Sequence, residues 1–152
     1  MALGMRRPQA GNVTRPRVIQ FARRLRRLTA TGLVPIVLST VAVAQIALAN
    51  FKEAGVSGYI DARLGDAHAI VPALPGPFDF VFSDADKDWY KNYFVALWPK
   101  IVPGGCFTAH NVSGSMRGIP EFLAHLKTLP DATTTIDTTS RAGMSITCKK
   151  QP

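Results

Sequence analysis

A chain of 152 residues has the size of one ordinary domain, enough for a single packed core and too little for two. Its formal charge of +8 comes from eight arginines near the start, Arg6, Arg7, Arg15, Arg17, Arg23, Arg24, Arg26 and Arg27, because from Thr31 onward ten basic and ten acidic side chains cancel. A basic binding face on the domain is thereby excluded, and residues 1–17 read as an irregular basic arm ahead of a domain over 18–152. Apart from Phe21 the arginine-rich stretch has no interleaved aromatics, and it matches no nucleic-acid motif, so it is taken as solvated and no nucleic-acid partner is expected. Cys106 and Cys148 are too few for a disulfide framework; their apolar context suits small buried hydrophobes and a reducing, cytoplasmic location.

From Val18, apolar residues at 18, 21, 22, 25 and 28 recur at helical spacing. Val34 to Leu38 suits a buried strand, and Val41 to Ala54 a helix closed by Gly55. The apolar run from Leu33 to Ala49 also fits a secretory signal with cleavage after Ala44 or Ala49. Pro35 and the long charged segment ahead argue against that, and the run is short for a membrane crossing. Gly58 to Leu64 reads as a strand, and Gly65-Asp66 opens a short helical segment.

Phe78 to Ser83 is apolar throughout, the pattern of a parallel strand covered on both faces. Asp88 to Leu97 carries aromatics at 89, 90, 93 and 94, a helical stripe that reads as core packing. After the turn Pro103-Gly104-Gly105 comes a short strand over Cys106 to Ala109, then a helix over Ile119 to Leu126 with Pro120 in its first turn. Thr133 to Thr138 and Met144 to Lys149 make a terminal antiparallel pair. His68 and His125 fall in helices, as surface or packing residues. Alternating strands and helices give an α/β fold, a parallel sheet with helices on both faces.

In such a sheet ligands gather beyond the carboxyl ends of the strands. Two polar clusters stand there: Asp84-Ala85-Asp86-Lys87 after FDFVFS, and His110-Asn111 after CFTA. If the two strands are neighbours, Asp84, His110 and Asn111 converge. One carboxylate and one amide suit magnesium, while an imidazole shifts preference toward zinc, iron or manganese. Taken alone, DADK reads as a helix N-cap beside a solvated lysine.

In order along the chain, DARLGDA, FDFVFSDADKDWYKNYF, LWPKIVPGGCFTAHNV and TTTIDTTSRAGMSITCKK together resemble the cation-dependent S-adenosylmethionine O-methyltransferases related to caffeoyl-CoA and catechol O-methyltransferases. The resemblance covers about two-thirds of the chain. It implies a Rossmann-like class I methyltransferase sheet and S-adenosylmethionine as cofactor, with Asp66, Ala67, Asp84 and Asp86 around it. It further implies a divalent cation, magnesium by default, on Asp84, His110 and Asn111, with Lys87 as general base. The expected partner is a small phenolic or catechol-like acceptor, with no membrane; a homodimer covering exposed sheet belongs to the rival expectation of a non-catalytic remnant.

Three departures shape the expectation. His110 stands where the family usually has an aspartate. Gly11 to Arg17 has a single glycine and no preceding strand where the family has its glycine-rich turn. No acidic residue follows the strand at Leu38 to Thr40. The front of the domain is therefore expected to be truncated or altered, with the first strand missing, cofactor affinity weakened and the edges of both neighbouring strands left open. The rival expectation is an inactive remnant or interaction module.

Overall fold

The computed structural model describes residues 34–38 and 40–151. The helix read from Val18 and the segment Gly11 to Arg17 lie outside them. The order of elements is β1 (Val34–Leu38), α1 (Val41–Glu53), β2 (Ile60–Leu64), α2 (Ala67–Ala73), β3 (Phe78–Ser83), α3 (Tyr90–Leu97), β4 (Ile101–His110), α4 (Ile119–Leu126), β5 (Ala132–Asp137) and β6 (Met144–Lys149). Short 3-10 turns precede β2 and flank α3.

Local chemistry sets the boundaries. The Thr40 hydroxyl accepts from the Val43 amide at 3.3 Å to start α1, which Gly55 ends in a left-handed conformation (φ 70). Asp66 caps α2 by accepting from the His68 amide at 2.9 Å. At the other end of α2, Lys100 donates to the carbonyls of Pro72 and Leu74 at 2.6 and 2.7 Å, satisfying acceptors that a helix terminus leaves open.

Among the described residues the strands form two sheets rather than one. β1 and β2 pair in parallel, and β3-β4-β6-β5 form the other sheet, with β3 and β4 parallel and β6 antiparallel to both its neighbours. The expected α/β architecture and its terminal antiparallel pair are therefore present. Among the described residues no strand bridges β1 to β3, so the sheet divides there.

Two expectations are corrected. Pro103-Gly104-Gly105 is not a turn before a short strand; it lies within β4 as a bulge. Phe78 pairs with Ile101 while Phe80 pairs with Cys106, so β4 takes up the extra residues between them. Only glycine fits at Gly105, where a Cβ would come within 2.8 Å of the Asp79 carbonyl and of the Ile101 side chain.

The second correction concerns β3, which is not covered on both faces. Val81 shares a face with Phe107 and packs into the core, whereas Phe80 and Phe82, on the other face, are 52% and 53% exposed. The described helices α3 and α4 cover only the first face. On that side Phe94 stacks on Trp98 at 4.8 Å and meets Phe107 edge-on at 5.1 Å, while Phe122 and Ile119 of α4 close the layer. The aromatic stripe of α3 is core, as its spacing indicated.

The cysteines also depart from expectation. Cys106 and Cys148 stand directly opposite each other across β4 and β6 and form a disulfide, with Cα atoms 4.0 Å apart. The sequence separation of 42 residues hid this, because only the antiparallel register makes them neighbours. Intact-mass analysis after alkylation without reductant tests the bond. An oxidised pair takes up no alkyl group until reduced, whereas two additions without reductant would show free thiols.

Candidate active site

The parallel register of β3 and β4 aligns Ser83 with Ala109, so the residues that follow, Asp84 and His110, leave adjacent strand ends together. The imidazole Nδ1 of His110 lies 3.2 Å from Asp84 Oδ2. Asp84 Oδ1 accepts from Lys87 Nζ at 2.8 Å. Lys87 also donates to the Ala85 carbonyl at 2.9 Å and to the Tyr90 hydroxyl at 2.8 Å.

The lysine is thus not solvated, with its side chain only 18% exposed, and Asp86 makes no side-chain cap for the turn that follows it. The bland reading of DADK fails on both counts. The hydrogen bond from Lys87, aided by that of His110, outweighs partial burial and holds the Asp84 carboxyl below the usual carboxylate range. Burial works to lower the Lys87 pKa, but hydrogen bonds to Asp84 and Tyr90 prevail and raise it. Lys87 in this arrangement is held as an ammonium by its hydrogen bonds to Asp84 and Tyr90.

Asp86 is gripped from two sides. The Tyr93 hydroxyl donates to Oδ1 at 2.7 Å, and His68 Nε2 lies 3.0 Å from Oδ2. Burial opposes its charge, yet the bonds from Tyr93 and His68 prevail and keep the carboxyl below its ordinary range. The His68 ring stacks on Trp89 with centroids 3.8 Å apart. His68 therefore packs, as expected, and in addition ties the start of α2 to the DADK turn. His125 packs edge-on against Phe94 at 5.8 Å.

Asn111 follows His110 with φ 58, a left-handed conformation that asparagine tolerates. Its backbone turns at the strand end, so its amide starts one residue from the Asp84–His110 pair. Among the described residues no group of three or more His, Cys, Asp and Glu side chains is gathered to hold a metal ion. Asp66, by capping α2, has its Oδ1 committed to the backbone, and Ala67 opens that helix.

A cavity of about 580 Å³ lies between the two sheets. Pro35, Ile36 and Val37 line one wall, Phe80 to Ala85 the other, with Ala67, Val71, Tyr93 and Leu97 between them. Its size is that of a small-molecule pocket. Asp84 and Ala67 reach it; Asp86, Lys87, His110 and Asn111 are not among its lining residues.

Sequence reasoning missed the two tyrosine hydroxyls, hidden in a stripe that signals core, and it missed Gly118. Gly118 precedes α4 with φ 84, and a Cβ there would collide with the Lys87 carbonyl and come 2.6 Å from the Asp88 Cα. The bare backbone at Gly118 lets α4 close onto the turn that carries Lys87.

The methyltransferase-domain family matches residues 12–112, so the chain belongs to that family. Its curated relatives are O-methyltransferases. The catechol O-methyltransferase of Niastella koreensis is 38% identical over 73 residues, 45% of this chain and 33% of that protein. Caffeoyl-CoA O-methyltransferase 1 of Eucalyptus globulus is 37% identical over 84 residues, 51% of this chain and 34% of that protein. This chain thus spans about a third of the length of these relatives. Among solved structures, an O-methyltransferase from Bacillus cereus in complex with SAH superposes with a TM-score of 0.68 at 25% identity, over 80% of this chain and 64% of that one.

Replacing Gly118 with alanine is expected to cost at least about 1 kcal/mol, because the residue sits at positive φ and the added methyl meets backbone. Urea denaturation measures the loss, and the Lys87 amide resonance should shift with it. Unchanged stability would show that the α4 junction can yield.

Proposed function

We propose that this chain carries the catalytic side of an S-adenosylmethionine-dependent O-methyltransferase acting on a small phenolic or catechol-like hydroxyl. The observation that supports it most is the meeting of Asp84, Lys87 and His110 beyond the carboxyl ends of two adjacent parallel strands, beside a small-molecule cavity. In this reading the cofactor lies along the mouth between Asp66 and Ala67 on one side and Asp84 and Asp86 on the other. The exposed Asp66 and the Asp86 carboxylate offer acceptors for its hydroxyl and amino groups.

The donor set fits a divalent ion. A carboxylate, an imidazole and an adjacent amide supply up to three positions and leave the others for water or substrate oxygens. Asp84, His110 and Asn111 would hold the ion, and bound there it would polarise the acceptor hydroxyl as a Lewis acid. Magnesium is the first choice, with manganese, iron or zinc made competitive by His110.

The chain's own residues do the rest. Lys87 takes the acceptor's proton, which requires its amine to shed a proton to water once Asp84 no longer demands an ammonium beside it. The acceptor oxygen then attacks the sulfonium methyl carbon, the carbon–sulfur bond breaks, and its electron pair stays on sulfur. Positioning and the fixed local charges supply most of the acceleration. A cytoplasmic location belongs to this reading.

The second reading is a non-catalytic interaction module, favoured by the divided sheet and by exposed Phe80 and Phe82. Calorimetric titration separates the two, since heat on adding S-adenosylmethionine is expected of the enzyme and none at millimolar ligand favours the module. With cofactor, magnesium and catechol, Lys87→Met is expected to lower turnover by about 10²- to 10⁴-fold, as removal of a general base does. Product detection by mass spectrometry checks this, and turnover unaffected by the substitution would remove Lys87 from the mechanism.

A further inference from the structure

We propose that Tyr90 is the positioning residue of this site, its hydroxyl fixing the Lys87 amine and binding together the two strand ends that carry Asp84 and His110. The catalytic part of this inference rests on the reading of Lys87 as the group that takes the acceptor's proton.

Tyr90 is 0% exposed, and its ring meets Phe122 edge-on at 5.6 Å, so the core sets where its hydroxyl stands. That hydroxyl has three neighbours. The carbonyl oxygens of Ser83 and His110 lie 3.1 and 2.9 Å away, and Lys87 Nζ lies 2.8 Å away. A phenol has one proton to give and lone pairs to accept with. Its proton is directed at the two carbonyls, which belong to different strands, and its lone pair accepts a hydrogen bond from the ammonium.

The ammonium has three N–H groups and finds three acceptors: Asp84 Oδ1, the Ala85 carbonyl and the Tyr90 hydroxyl. The first two ride on the same turn as Lys87 and move with it. Tyr90 alone comes from the first residue of α3 and is anchored in the core. When Asp84 turns to another cation or to a substrate oxygen, Tyr90 remains to hold the amine on line.

The same oxygen also fixes the gap between β3 and β4 where Asp84 and His110 leave the sheet. One buried hydroxyl therefore aligns the carboxylate, the imidazole and the amine. Phenylalanine in its place would keep the ring packing and lose all three bonds.

Full-length protein labelled with ¹⁵N-lysine provides the test, with the Lys87 Nζ resonance assigned by its disappearance in Lys87→Arg. Tyr90→Phe is expected to shift or broaden that resonance more than any other lysine signal. Phe122→Leu, which loosens the ring's packing and keeps the hydroxyl, should move the signal less than Tyr90→Phe does. In turnover with catechol, Tyr90→Phe should lower kcat about tenfold while KM for S-adenosylmethionine changes little, as misplacement of a reacting group does.

An unmoved Lys87 resonance in Tyr90→Phe, or an equal shift in Phe122→Leu, would overturn the proposal. Because the resonance is read without turnover, an inactive chain still tests the tie. Lys87→Met turning over at the wild-type rate would sink the base reading alone and leave the tie between Tyr90 and Lys87 standing.

Discussion

The pairing of β3 with β4 is the constraint on which the site depends. Two parallel strands in register deliver their following residues to the same edge of the sheet, and here those residues are Asp84 and His110. The bulge at Pro103 to Gly105 belongs to this constraint, since it takes up the surplus length of β4 and allows Ser83 to meet Ala109. A one-residue change of register would send the Asp84 and His110 side chains to opposite faces. Beneath the pair, the Tyr90 hydroxyl bonds both strand ends, and α4 closes on the turn through the bare backbone of Gly118.

Charges around the site lock one another. Asp84 holds Lys87 and faces His110, and Asp86 is held by Tyr93 and His68. Each carboxylate is held in its charged form, and Lys87 in its ammonium form, so the described arrangement is a hydrogen-bonded network around the Asp84–Lys87 ion pair rather than a base ready to act. In the proposed mechanism, acceptance of a proton by Lys87 requires this balance to be changed from outside, at Asp84.

The rest of the molecule is less enclosed. Among the described residues the sheet divides between β1 and β3, the cavity opens in that division, and Phe80 and Phe82 stand half exposed beside it. The exposed apolar side chains of α1, Val41, Val43, Ile46 and Leu48, continue the same open character. No described helix is long and apolar enough to cross a membrane.

Periodicity alone determined most of the elements: the apolar run of β3, the aromatic stripe of α3 and the β-branched terminal pair were all legible, because each depends on neighbours a few residues away. Order along the chain also placed DADK and His110-Asn111 after strands, which sufficed to nominate them. What sequence could not show was any relation set by register or by burial between distant segments. Cys106 became a partner of Cys148, Pro-Gly-Gly became a bulge, and Tyr90 turned from core filler into a bond between two strands. In each case the decisive neighbour lies across a strand pair or on another element, and only the folded chain brings it within hydrogen-bonding or bonding reach.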